Sequence, residues 1–220
     1  MYMASQSALR ASGDHFTECE SSTTLKVNRE DCTYTPFYCE ENIWKLCETI
    51  QSINTGALQC CHVIFISNEK EMVPLWAQKA GSQGSSGLVT WDYHVILAYS
   101  LLNETMTRSK IYDFDSRRPF PSNFHDYFHD TFRPNLQLEP DYHRMFRVIG
   151  APSYLKLFSS NRFHMKKVDG TWCADPPSYS CILNEAGSDT LKSFISMKES
   201  RMYGEIFSQD ALFKRFTTPS

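Results

Sequence analysis

The order of hydrophobic patterns in this chain predicts an α+β domain whose sheet is covered by helices. Three observations carry that expectation. An amphipathic helical stripe comes first, a run of β-type segments follows, and helical patterns close the chain.

The elements follow in order. Residues 1–30 are polar and lack a sustained period, so they predict a flexible tail ahead of a single domain over 31–220. Ile43, Leu46, Cys47, Ile50 and Ile53 recur at helical spacing and predict a helix over 39–53. Pro36 precedes it, and Glu40 and Glu41 occupy its first turn, where carboxylates favour the helix dipole. Four strands are predicted next, "CHVIFIS" (61–67), "MVPLWAQ" (72–78), "LVTWDYHVILAYS" (88–100) and "KIYDFD" (110–115). "HRMFRVI" (143–149) is a fifth. "KAGSQGSSG" (79–87) predicts a mobile loop. The Phe-, His- and Pro-rich span 119–141 predicts short helical turns wrapped over the surface. Helices are predicted over 153–166, 189–197 and 208–216, with Ser208 as N-cap of the last.

Composition narrows the function classes. The chain is 41% hydrophobic, 14% aromatic and 21% charged, the profile of a globular protein with a substantial core. Its net charge of -3 gives no footprint for nucleic acid or an anionic membrane. No run approaches the roughly 18 apolar residues of a membrane helix, and "MYMASQSALRASGDHF" has no secretory h-region. The eight cysteines are therefore read in a reducing compartment, where structural disulfides are rare. Their spacing fits neither a CxxC pair nor a zinc ribbon. Cys60 and Cys61 are read as alternating burial along a strand. Asn103-Glu104-Thr105 matches a glycosylation acceptor, which has no role without secretion.

The chemistry-bearing residues centre on Cys39. A thiol at a helix N-terminus meets partial positive charge and free backbone N–H groups, which lower its pKa and can form an oxyanion hole. His94 sits mid-strand in "TWDYHVILA", where a core-facing site would otherwise be apolar, and is the candidate base. A carboxylate on the next strand, about 4.8 Å away, could orient its imidazole. Asp113 and Asp115 both qualify, because side chains two apart share a strand face. Each residue alone also has an ordinary structural reading. Cys39 could be a core thiol, His94 a satisfied core histidine and Asp113 a turn former.

Six stretches together resemble one family: "CTYTPFYCEENIWKLCE" (32–48), "FISNEKEMVPLWAQ" (65–78), "VTWDYHVIL" (89–97), "IYDFDSRRPFP" (111–121), "FRVIGAPSYLKLFSSNRFHM" (146–165) and "FISMKE" (194–199). The family is that of the protein N-terminal glutamine amidohydrolases, marked by the WDYHV motif. The resemblance spans about Cys32 to Phe216. It departs at Phe37, where some members have a cysteine. It implies a three-layer α-β-α sandwich with a mainly antiparallel sheet and a papain- or transglutaminase-like core. It implies a triad of Cys39, His94 and Asp113, which favours Asp113 over Asp115. It implies conversion of N-terminal glutamine to glutamate, without cofactor, by a monomer of cytosol and nucleus. The product would feed an arginyltransferase and then a ubiquitin ligase of the N-degron pathway.

Terminal specificity needs more than a triad. The candidates to hold the substrate's α-ammonium are Glu40, Glu41 and Asp92, all close to the triad in sequence. Tyr34, Tyr38 and Trp91 are the candidates to shape the glutamine pocket. The competing readings are a cysteine protease or transglutaminase on the same scaffold, a non-enzymatic interaction protein that kept the fold, and, more distantly, a zinc module.

Overall fold

The computed structural model describes residues 25–103 and 106–218. The first helix, α1, spans Cys39–Ile53 as expected, and a short α2 (Thr55–Gln59) follows it. The strands are β1 (Cys61–Ser67), β2 (Val73–Leu75), β3 (Val89–Trp91), β4 (His94–Asn103) and β5 (Met106–Tyr112). Next come β6 (Ser122–Asn123), α3 (Phe124–Phe132), β7 (Met145–Gly150) and α4 (Ala151–Leu157). Helix α5 (Leu191–Ile195), β8 (Glu205–Phe207) and α6 (Gln209–Thr217) complete the fold.

Six strands form one sheet in the order β6-β5-β4-β1-β7-β8, every pair antiparallel. Strands β2 and β3 form a separate ribbon. One face of the sheet carries Val63, Phe65, Val95 and Leu97, packed with Ile43, Leu46, Ile50, Tyr154, Phe158 and Phe194 from the helices of that side. The other carries Ile64, Ile66, Ile96 and Ile111, packed with Phe124, Phe128, Phe132, Leu212 and Phe216 of α3 and α6. This is the expected α+β sandwich, three layers deep.

The central strand explains one departure. All seven residues of β1 are buried, and Cys60 and Cys61 are buried together rather than alternately. A strand covered on both faces has no solvent side to alternate with. Cys60 is also disulfide-bonded, against the expectation of eight thiols, while Cys32, Cys39, Cys47, Cys61, Cys173 and Cys181 are free. Ile53, at the end of the predicted stripe, is 62% exposed, because α1 has run past its partners.

Other boundaries moved for local reasons. The predicted strand 88–100 is two strands in two sheets, broken at Asp92 and Tyr93. There the Asp92 carboxylate takes the Tyr93 N–H at 2.9 Å, an Asx contact that competes with the ladder. The predicted strand 72–78 stops at Leu75, and Ala77 adopts a φ of 56° that no strand permits. The predicted helix 153–166 ends at Leu157. Beyond it, Ser159 and Ser160 donate their N–H groups to Thr190 Oγ1 and the Ile182 carbonyl, and the backbone turns left-handed at Arg162. The helix over 189–197 shrinks to α5. Helix α6 keeps the predicted cap, with Ser208 Oγ accepting the Ala211 N–H.

The span 119–141 is more than surface wrapping. Helix α3 buries Phe124, Tyr127, Phe128 and Phe132 against the sheet. Within the stretch read as tail, Leu25 and Val27 lie in the core, while residues 1–24 fall outside the described residues. The acceptor motif at 103–105 also reaches outside them, and no helix is long and apolar enough to cross a membrane among the described residues.

Candidate active site

The start of α1 is fixed from behind. Asn42 is fully buried and holds the Thr35 backbone with both ends of its amide, accepting the Thr35 N–H and donating to its carbonyl, each at 2.8 Å. Between them Phe37 adopts a left-handed φ of 68°, a strained geometry for a non-glycine residue. The chain thus enters the helix in one fixed path, and Cys39 is its first residue.

Cys39 is partly exposed. Its thiol lies against β4, where the Val95 N–H points at it and favours the thiolate. The surrounding protein outweighs that donor. Withdrawal from water and the charges of Glu40, Asp115 and Asp92 hold the thiol well above its ordinary pKa. The helix start and the Val95 N–H do not offset those causes.

His94 opens β4 and is buried. Its Nε2 is 2.9 Å from Asp113 Oδ1, and both side chains are 1% exposed. Burial depresses the imidazole pKa, but the charge and hydrogen bond of Asp113 more than offset it, so His94 is a stronger base than usual. Trp91 stacks on the ring at 5.5 Å and 17°, with its indole N–H on Gln78 Oε1. Asp113 and the Gln78-anchored Trp91 thus fix the ring's plane and leave Nδ1 as the nitrogen not engaged by Asp113.

Asp113 lies one residue beyond β5, not on it. Its Oδ1 also accepts the Asp115 N–H at 2.9 Å, a turn contact that curls the chain back. Its Oδ2 accepts the Tyr127 hydroxyl from α3 at 2.7 Å. Burial opposes ionisation, but His94, Tyr127 and the Asp115 N–H together hold the carboxyl below its usual pKa. Asp115, the rival, instead accepts the Tyr34 hydroxyl at 2.6 Å. His94, Asp113 and Asp115 are the one group among the described residues with metal-like spacing. The hydrogen bonds just described engage His94 Nε2, both Asp113 oxygens and Asp115 Oδ1.

The two glutamates after Cys39 part company. Glu41 is wholly buried and takes a two-pronged bond from Arg162, Nε to Oε1 at 2.7 Å and Nη2 to Oε2 at 2.6 Å. Both its oxygens are spent on that pair. Arg162 also donates to the carbonyls of Pro177, Tyr179 and Ser180. It ties the segment 158–181 to the helix start, and the buried Tyr38 adds a bond to the Ala174 carbonyl. Glu40 is equally buried, and burial raises its carboxyl to about 7. Asp92 is exposed, and Tyr34 is 38% exposed at the rim.

Comparison with known proteins places the chain in a family. A profile of the N-terminal glutamine amidase family matches residues 34–216. The chain belongs to that family. A protein N-terminal glutamine amidohydrolase of Drosophila mojavensis is 45% identical over 186 residues, covering 84% of this chain and 89% of its own length. Its counterpart of the same name in Drosophila melanogaster is 44% identical over the same shares.

The candidate site also contains residues that the sequence offers no reason to single out. Tyr93 donates its hydroxyl to Glu40 Oε2 at 3.0 Å. Tyr127 lies outside the six stretches that carry the resemblance, and Arg162 lies inside the one over 146–165 without a pattern that marks it. His164 Nε2 comes within 3.7 Å of Glu40 Oε1. A histidine in "NRFHMK" read as helix gave no signal that it would reach the nucleophile's helix.

Proposed function

We propose that this protein hydrolyses the side-chain amide of an N-terminal glutamine to glutamate, releasing ammonia, through a thiol mechanism run by Cys39, His94 and Asp113. Family membership supports the substrate. The buried His94–Asp113 pair beside a thiol at a helix start is the observation that supports the mechanism.

The raised thiol pKa means that Cys39 rests protonated. His94 takes the proton as sulfur attacks the carboxamide carbon. The C–S bond forms, and the carbonyl electrons move to oxygen. Backbone N–H groups at the start of α1 are the proposed donors to that charge. His94 then gives its proton to the departing nitrogen, the C–N bond breaks, and ammonia leaves a thioester. Water deprotonated by His94 cleaves the C–S bond, giving glutamate and the thiol. Asp113 keeps the proton of the neutral imidazole on Nε2, which leaves Nδ1 free to act as base, and stabilises the imidazolium. Tyr34, Tyr38 and Trp91 serve this scheme mainly as walls, since Tyr38 is buried and Trp91 lies on the His94 ring.

In this reading the enzyme acts as a monomer in cytosol and nucleus. Its product is the substrate of an arginyltransferase whose product a ubiquitin ligase reads.

The test uses three short peptides: one beginning with Gln, the same peptide acetylated, and one beginning with Asn. Ammonia release and peptide mass are followed, with Cys39→Ala as control. Conversion of the free Gln peptide alone, with a gain of about one dalton and an intact peptide bond, is the expected result. Cleavage of the peptide bond, amine incorporation, or undiminished turnover by Cys39→Ala would overturn the reading.

A further inference from the structure

Glu40 has an oxygen that nothing satisfies. The residue is wholly buried, and its Oε1 has no hydrogen-bond partner. A buried carboxyl oxygen left open is costly to maintain. The other oxygen, Oε2, accepts the Tyr93 hydroxyl and lies 3.7 Å from Cys39 Sγ. Oε1 faces His164 Nε2 at 3.7 Å, within ion-pair reach but too long for a hydrogen bond. The His164 side chain is 24% exposed while Glu40 is at 0%. Substrate can therefore meet the imidazole but not the carboxyl behind it. Asp92 acts electrostatically on both Cys39 and His164, so the three share one neighbourhood.

Resting on the function just proposed, we propose that His164, backed by Glu40, is the receptor for the substrate's α-ammonium. Nδ1 of the neutral imidazole accepts a hydrogen bond from the ammonium. Nε2–H donates to Glu40 Oε1, and the 3.7 Å gap closes as substrate binds. The relay carries the negative charge of a buried carboxylate to the substrate without exposing a carboxylate beside the thiol. No covalent bond changes.

The surroundings suit that role. Burial keeps His164 below its usual pKa, against the pull of Asp189, Asp92 and Glu41. Nδ1 is then an unprotonated acceptor at neutral pH. Glu40, near 7, ionises readily once a cation arrives. Its other charged and titratable neighbours are Cys39 and Glu41 on α1, Tyr93 before β4, and Tyr38, Tyr154 and Tyr179. Arg162, two residues from His164, is spent on Glu41 and fixes the segment that presents the imidazole. Asp92 is the competing receptor. It is exposed, and its Oδ1 already holds the Tyr93 N–H.

The experiment compares a Gln peptide with the same peptide lacking only the α-amino group. kcat and KM are measured for wild type, His164→Ala, His164→Asn, Glu40→Gln and Asp92→Asn. Wild type should favour the amino peptide. His164→Ala should shrink that preference by about 10- to 100-fold, the scale of a charge-assisted hydrogen bond, and chiefly through KM. His164→Asn, which keeps an acceptor near the Nδ1 position, should retain part of it. The acid limb of kcat/KM for the amino peptide should move in His164→Ala. An equal loss on both peptides, or a preference lost in Asp92→Asn and kept in His164→Ala, would overturn the inference. Calorimetric binding of both peptides to Cys39→Ala asks the same question without turnover. The gap in affinity should close when His164→Ala is added, and an unchanged gap sinks the proposal even if the reaction assignment stands.

Discussion

Two histidine–carboxylate pairs flank the Cys39 thiol, and they are built differently. His94–Asp113 is assembled by the sheet. Its 2.9 Å bond is closed, both partners are buried, and the carboxylate is filled by Tyr127 and the Asp115 N–H as well. His164–Glu40 is assembled by an irregular segment laid over α1. Its contact is open at 3.7 Å, one oxygen is unpartnered and the imidazole is partly exposed. A saturated network holds one geometry and one tautomer. An unsaturated one has capacity left for a ligand. The same side-chain chemistry thus suits proton transfer on one side and recognition on the other.

The sheet-borne pair should show the larger effect when broken. Asp113→Asn keeps the shape but removes the charge that raises the His94 pKa, and it frees the imidazole to take the wrong tautomer. The expected loss in kcat is about 10²- to 10⁴-fold with little change in KM. Steady-state kinetics on the Gln peptide check this. A loss under about tenfold would mean that Asp113 does not orient the base, and the contrast between the two pairs would dissolve.

The next cut is at the tie that holds the second pair in place. Arg162→Ala leaves Glu41 buried and unpaired, which costs about 3–5 kcal/mol. It also releases the carbonyls of Pro177, Tyr179 and Ser180. Urea denaturation should record that destabilisation. Kinetics at a temperature where the variant is still folded should show KM rising more than kcat falls, because the segment bearing His164 loses its anchor. Removing both charges with Arg162→Met and Glu41→Leu should recover much of the stability but not the low KM. Equal recovery of both would mean that the segment binds no substrate.

These two halves were unequally legible in the sequence. Helix α1 was found to the residue, because its apolar stripe has one period and Cys39 starts it. His94 stood out as a histidine in an apolar strand pattern. The choice between Asp113 and Asp115 was not legible, because strand periodicity puts both on one face. The chain in fact leaves the strand after Tyr112, and the turn at Asp113 aims one carboxylate and not the other. The second half has no period to read. Segment 158–181 has almost no regular structure, and the tie between it and the start of α1 runs chiefly through one arginine that meets Glu41 across the fold. The break in "WDYHV" was hidden for a similar reason, since a continuous β pattern gives no sign that two sheets share it.

The smallest predicted effect lies within the saturated pair and tests how saturated it is. Tyr127→Phe removes the hydroxyl from Asp113 Oδ2 and leaves that oxygen without this donor. Asp113 is held below its usual pKa by His94 first and by Tyr127 among the lesser causes. Its pKa should therefore rise in the variant. The acid limb of kcat/KM then moves to higher pH, while the rate at the pH optimum falls by less than about tenfold. Stability follows the same sign. A carboxyl with a depressed folded-state pKa stabilises the fold above its unfolded value, about 3.9, and that contribution fades as pH falls through the folded value. The variant should lose about 1–3 kcal/mol near neutrality, the cost of an unmet buried acceptor, and less of that difference should remain under strongly acid conditions. An acid limb that shifts to lower pH, or a difference in stability that grows on acidification, would show that Tyr127 does not support the ionised form of Asp113.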